Sequence, residues 1–236
     1  MLLENSLKKI KNYFVSRYKD NLASVVLFGS VVTGKYVEGK SDIDTIVLLK
    51  KKENLNLDEE KKRVFEERTE KNLSIQNLMD LKYAKENLVS GKSWSTYWAL
   101  ASEKGSRILY STPEFKSLKK YLLKNPPKRG ITKLHTEEKD KVDLEKLLPN
   151  WKEFTATKYL MFHIRRKLQV LNYFKNKSYV YDFDECFKNL EFSKEMTEDL
   201  KNLTNYYNDK KPLSKEEISY YVKLSYNLTE KIEKEI

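Results

Sequence analysis

Apolar residues recur every three to four positions between Ser6 and Tyr18, at Leu7, Ile10, Phe14 and Tyr18, with lysines between them. That spacing predicts an amphipathic helix. The period then changes. Val25 to Phe28 and Thr45 to Leu49 are short continuous apolar runs that read as buried strands, the second opening at Ile43. Leu73 to Leu81 and Arg107 to Ser111 predict a third and a fourth strand. Between the second and third, Asp58 to Lys71 mixes both charge signs with few apolar residues, which predicts an exposed helix. Tyr83 to Leu88 and Ser93 to Glu103 read as helices, the latter capped at Gly105, and Pro113 opens another through Leu123. The expectation is an α+β domain with a mixed sheet flanked by helices.

The pattern breaks at Asn125-Pro126-Pro127, and a polar stretch follows. We place an N-terminal domain at residues 1–125, a linker at 126–143 and an all-α helical bundle at 144–236. In the last part, Phe154, Thr157, Met161, Ile164, Leu168 and Leu171 form one sustained helical seam. Asp182 stands where a helix cap is expected, Ser193 starts a further helix, and Ser214 to Glu217 has the spacing of a capping box. Ile218, Val222, Ser225, Leu228 and Ile232 mark the buried stripe of the final helix.

Candidate chemistry concentrates between Leu27 and Leu49, LFGSVVTGKYVEGKSDIDTIVLL. Asp42 and Asp44 lie two residues apart at the start of a strand, so alternation points both carboxylates to one face. Like charges so placed call for a cation. Mg²⁺ takes hard oxygen ligands, commonly one or two carboxylates together with substrate phosphates. Gly29-Ser30 stands just before a turn, where backbone N–H groups can approach a phosphate unobstructed.

The combination G-S-x-x-x-G, then S-D-I-D, then an apolar strand resembles the nucleotidyltransferase superfamily that includes DNA polymerase beta. Its closest likeness is to the small bacterial and archaeal members and the kanamycin-type antibiotic nucleotidyltransferases. The resemblance runs from about Leu22 to Ser111. It implies Mg²⁺ or Mn²⁺ on Asp42 and Asp44, and a nucleoside triphosphate such as ATP on Gly29, Ser30, Gly34 and Ser41. It also implies a third carboxylate on the third strand, as general base or as a metal ligand. Here the sequence offers two readings. Alternation sets Gln76, Leu78 and Asp80 on one face. The family register puts Gln76 in the third-carboxylate position, and Asp80 fills it only if the register shifts. If the third acid is lost, nucleotide binding through Asp42, Asp44 and one Mg²⁺ persists while transfer slows.

Composition adds the class of partner. The 236 residues carry 46 Lys+Arg against 35 Asp+Glu, a net charge of +11. That favours triphosphates or nucleic acid as partners, although a Lys-rich proteome gives the same balance. Phe115 to Thr136 and Phe154 to Tyr181 carry only basic charges. The single cysteine, Cys186, excludes a disulfide framework and a zinc cluster of cysteines. No stretch approaches the roughly 18 apolar residues of a membrane helix, and no signal-peptide hydrophobic region opens the chain, so a cytoplasmic location is expected. Trp94 and Trp98 share one helix face, where core packing competes with base stacking. Four helices after such a domain resemble kanamycin-type enzymes and fusions to helical domains of the HEPN class. The HEPN ribonuclease spacing of Arg then His is absent: His163 precedes Arg165 and Arg166, and His135 falls in the linker.

Two functions follow. One is an Mg²⁺-dependent transferase that moves a nucleoside monophosphate from a triphosphate to an acceptor hydroxyl on a small molecule, an RNA end or a protein. The other is a catalytically degenerate nucleotide- or RNA-binding protein, or an interaction partner of the toxin–antitoxin type. A homodimer is compatible with either.

Overall fold

A computed structural model describes residues 2–52, 56–67, 72–90, 93–102, 104–126 and 152–234. The chain divides into two units, residues 1–130 and 131–236. Beyond residue 126, the linker expected at 126–143 lies outside the described residues, as do Lys128, Arg129, Lys133 and His135.

The first unit is built on a four-stranded sheet: β1 Leu22–Phe28, β2 Ile43–Leu49, β3 Leu73–Asp80 and β4 Ser106–Ser111. Their order is β3-β2-β1-β4. β1 runs antiparallel to β2 and to β4, whereas β2 and β3 are parallel. Every residue of β1 is buried, as a central strand covered on both faces requires. Helix α1 (Leu2–Tyr18) lays the predicted stripe Leu7, Ile10, Phe14 and Tyr18 against Val25, Leu27, Val47 and Leu49. The short α2 (Ser30–Thr33) follows β1, and α3 (Leu57–Glu67) packs on β3. Next come α4 (Leu81–Val89), α5 (Trp94–Ala101) and α6 (Pro113–Lys124). Trp94 and Trp98 stack with centroids 4.4 Å apart, and both are buried, so the pair is core.

Helix α3 is not the wholly exposed helix its charges suggested. Val64 is in the core, and Glu60 is only 4% exposed. A carboxylate that deep needs partners. Arg17 Nε donates to Glu60 Oε1 at 2.7 Å and the Tyr18 hydroxyl donates to the same oxygen at 3.0 Å. Burial alone would raise the Glu60 pKa; the Arg17 and Tyr18 hydrogen bonds outweigh it and hold the carboxyl below its usual range. Glu60→Ala takes away the buried acceptor that Arg17 and Tyr18 share, leaves Arg17 paired with Glu67, and is expected to cost about 2 kcal/mol in urea unfolding at neutral pH. A folded pKa below the unfolded one gives stability that is present above roughly pH 4.3 and is lost as pH falls through the folded value. The wild type and the variant should therefore converge in acid.

The second unit consists, among the described residues, of α7 (Phe154–Asn176), α8 (Phe183–Lys188), α9 (Lys194–Asn208) and α10 (Lys215–Glu233). The seam of α7 is buried from Thr157 to Leu171. Lys167, on α7, is 1% exposed and donates to the Ser225 carbonyl at 3.0 Å, Ser225 Oγ at 2.8 Å and Thr229 Oγ1 at 2.7 Å, which ties α7 to α10. Asp182 caps α8, Ser193 caps α9, and Ser214 with Glu217 forms the predicted capping box of α10. Burial, helped by Arg166 and Lys167, pushes the His163 pKa down to about 4. It is neutral at pH 7 and lies against the Tyr159 ring, centroids 4.3 Å apart.

Candidate active site

The antiparallel pairing of β1 and β2 determines what meets what. Leu27 pairs with Thr45, so the end of β1 lies beside the start of β2. Gly29 therefore arrives next to Asp44. Its φ of 73° and ψ of −146° belong to a region used almost only by glycine. A Cβ built on Gly29 would stand 2.6 Å from Asp44 Oδ2. Both the backbone conformation and the nearby carboxylate thus demand glycine. Gly29→Ala is expected to destabilise the fold by about 2 kcal/mol and to push the Asp44 carboxylate aside. Thermal melting and Mg²⁺–ATP binding measured on the same variant check both effects.

The Gly29 carbonyl accepts from Val32 N and Thr33 N at 3.1 and 3.0 Å, which winds α2. Gly34, at φ 75°, ends α2 in the left-handed conformation, and its N–H returns to the Ser30 carbonyl. Ser41 closes the following loop: its Oγ accepts from Val37 N at 3.0 Å, and its own N–H donates to the Val37 carbonyl at 2.8 Å. That closed loop delivers Asp42, which is exposed, to the head of β2. Asp44 is half-buried. Its pKa is raised, chiefly by burial and further by the charge of Asp42, against the opposing Gln76 hydrogen bond.

On the third strand, Gln76 is the residue beside Asp44. Its Nε2 donates to Asp44 Oδ1 at 2.8 Å and to Ser74 Oγ at 2.9 Å. Ser74 is the register partner of Asp44. The register slips just beyond: Thr45 pairs with Ile75 but Ile46 pairs with Asn77, so Gln76 is the extra residue of a β-bulge. The bulge overturns the expectation that Gln76, Leu78 and Asp80 share a face, and it does not bring Asp80, the candidate catalytic acid, to the Asp42–Asp44 pair. One inserted residue inverts the alternation after it. Asp80 pairs with Leu49, in the row of Ile43 and Val47, on the face opposite Asp44 and roughly 16 Å further along the strand. There its carboxylate caps α4, accepting from Tyr83 N at 2.7 Å. Among the described residues, no group of three or more His, Cys, Asp and Glu side chains gathers in a way that suits a metal. The Asp42–Asp44 pair with Gln76 is the site that remains.

Sequence reasoning missed three contributors. Ser74 fixes the Gln76 amide, Lys61 Nζ donates to the Gln76 backbone carbonyl at 3.1 Å, and the bulge sets Gln76 beside Asp44. The Ser-x-Gln spacing hinted at the first, whereas nothing in the composition of β3 marks the bulge.

This arrangement, a strand–glycine turn beside a D-x-D strand in a mixed sheet, is the one that the resemblance to nucleotidyltransferases implies. Residues 7–92 match the family model of the nucleotidyltransferase domain. Among solved structures, the chain is similar in fold to spectinomycin adenyltransferase AAD(9) from Enterococcus faecialis, determined with ATP and spectinomycin. The TM-score is 0.56 at 13% sequence identity, over 96% of this chain and 99% of that one. No curated protein matches the sequence. Among the described residues, no helix is long and apolar enough to cross a membrane.

Proposed function

We propose that the protein transfers a nucleoside monophosphate from a nucleoside triphosphate to an acceptor hydroxyl, with Asp42 and Asp44 holding Mg²⁺. One observation carries the reading: in a matched nucleotidyltransferase domain, the Asp44 carboxylate lies over the only residue type that admits it, Gly29, with Asp42 close enough to raise its pKa. The donor set fits the metal, because two hard oxygen ligands that repel each other are what a small divalent cation relieves. When bound, Mg²⁺ supplies charge neutralisation of the triphosphate and of the leaving pyrophosphate.

The chain's own residues do the rest. Gly29 and Ser30 offer backbone N–H groups to phosphate oxygens, with no side chain at Gly29 to obstruct them. Gly34 and Ser41 hold the turn and the loop that carry those groups. Gln76 fixes the rotamer of Asp44. In the reaction, the acceptor hydroxyl loses its proton to solvent as its oxygen bonds to the α-phosphorus, the bond from that phosphorus to the bridging oxygen breaks, and pyrophosphate leaves. The structural neighbour was solved with a small-molecule partner, spectinomycin, which favours a small-molecule hydroxyl as acceptor. The net charge of +11 favours an anionic one, an RNA end included.

A second reading rests on Gln76. Where a carboxylate would complete the site, the chain carries an amide that engages Asp44. The protein would then bind nucleotide without turning it over, as an RNA-binding module or an interaction partner of the toxin–antitoxin type. The deciding experiment incubates the protein and Mg²⁺ with each α-labelled triphosphate, with total RNA or with a panel of small-molecule alcohols. Label transfer that disappears in Asp42→Ala and Asp44→Ala supports the enzyme. Mg²⁺-dependent triphosphate binding with no transfer to any acceptor supports the second reading.

A further inference from the structure

The contacts of Gln76 also bear on how many cations the site takes. Its Nε2 donates at once to Asp44 Oδ1 and to Ser74 Oγ. The reverse orientation of the amide would set its oxygen against a carboxylate oxygen, so the N–H is the group that faces Asp44. An N–H presents a positive hydrogen where a metal ion would need an oxygen. Oδ1 of Asp44 is therefore withheld on the β3 side. The other oxygen, Oδ2, lies over Gly29, on the side of the turn. Lys61 Nζ donates to the Gln76 backbone carbonyl at 3.1 Å and so ties α3 to the bulge. Among the described residues, no third acid joins the pair.

We infer that this site takes a single divalent cation, held by Asp42 and Oδ2 of Asp44 together with the triphosphate, and that Gln76 excludes a second. The inference rests on the nucleotide-binding reading above. Gln76 acts through Asp44 and is a positioning residue. Its effect is to reserve one carboxylate oxygen for an N–H donor.

Mn²⁺ is the probe, with an ATP analogue whose α–β bridge is a methylene group so that no transfer occurs. Equilibrium dialysis counts bound Mn²⁺ and bound nucleotide separately, and electron paramagnetic resonance reports coupling between paired ions. The wild type is expected to bind one Mn²⁺ per nucleotide with no ion–ion coupling. Gln76→Glu is expected to bind two, with coupling. Two Mn²⁺ per nucleotide in the wild type overturns the inference, and so does a count of one in a folded Gln76→Glu. If the variant does not fold, the wild-type count decides alone. Absence of nucleotide binding overturns the reading beneath the inference, and the separate nucleotide count distinguishes that result from a wrong ion count.

Discussion

Asp44→Asn is expected to lower nucleotidyl transfer by about three orders of magnitude while leaving the protein as stable as the wild type or more so. The first half follows from charge. A carboxylate that holds the cation opposite a triphosphate contributes several kcal/mol to the transition state, and each 1.36 kcal/mol is about tenfold in rate. The second half follows from the direction of the Asp44 pKa. Burial, then Asp42, raise it above that of an unfolded aspartate. A folded acid with a raised pKa binds more protons than the unfolded chain in the window between the two values. Stability therefore falls as pH rises through that window, and the ionised form is a cost at neutral pH. Asparagine removes that cost, and its carbonyl still accepts from Gln76. The contrast between lost activity and kept stability separates a functional carboxylate from a structural one. Initial rates of label transfer and thermal melts without Mg²⁺ measure the two. A rate within tenfold of wild type, or a melt lowered by many degrees, would remove Asp44 from the site.

The sequence pointed to one half of this candidate site and left the other half open, for physical reasons. Gly29, Asp42 and Asp44 are legible because each is an exception in its local context: a glycine where a strand ends, and acids where a strand begins. The strands themselves are legible because buried runs such as Val25 to Phe28 leave little choice of period. Asp80 misled because alternation is an argument about an unbroken strand. The insertion at Gln76 depends on how β3 pairs with β2, a property of two segments together that neither one encodes alone. Helix α3 misled in the same way. Its charges describe an exposed helix, yet Glu60 is buried because Arg17 and Tyr18, more than forty positions earlier, come to meet it. The capping residues Asp182 and Ser214 could be read directly, since a cap is satisfied within a few residues of itself.

Gln76→Glu is expected to raise transfer by about 10²- to 10⁴-fold, the span that a positioned general base typically contributes. The substitution changes one amide to a carboxylate with the same side-chain length, at a bulge that already aims it at Asp44. It would also bring a third negative charge beside two that already repel each other. The metal-free variant should therefore melt below the wild type. Added Mg²⁺ should restore more stability to the variant than to the wild type, because a ligand that binds only the folded state stabilises it in proportion to its affinity. The two effects come from one substitution. Losing the Gln76 N–H frees Asp44 Oδ1, and gaining a carboxylate supplies an acceptor for the attacking hydroxyl's proton. Steady-state rates with the acceptor found by the labelling screen, and melts across a Mg²⁺ series, test both. A variant that folds, gains Mg²⁺-dependent stability and yet transfers no faster would mean that the wild-type amide is no catalytic deficit. The chemistry would then be complete with Asp42 and Asp44, and Gln76 would serve it by holding Asp44 in place.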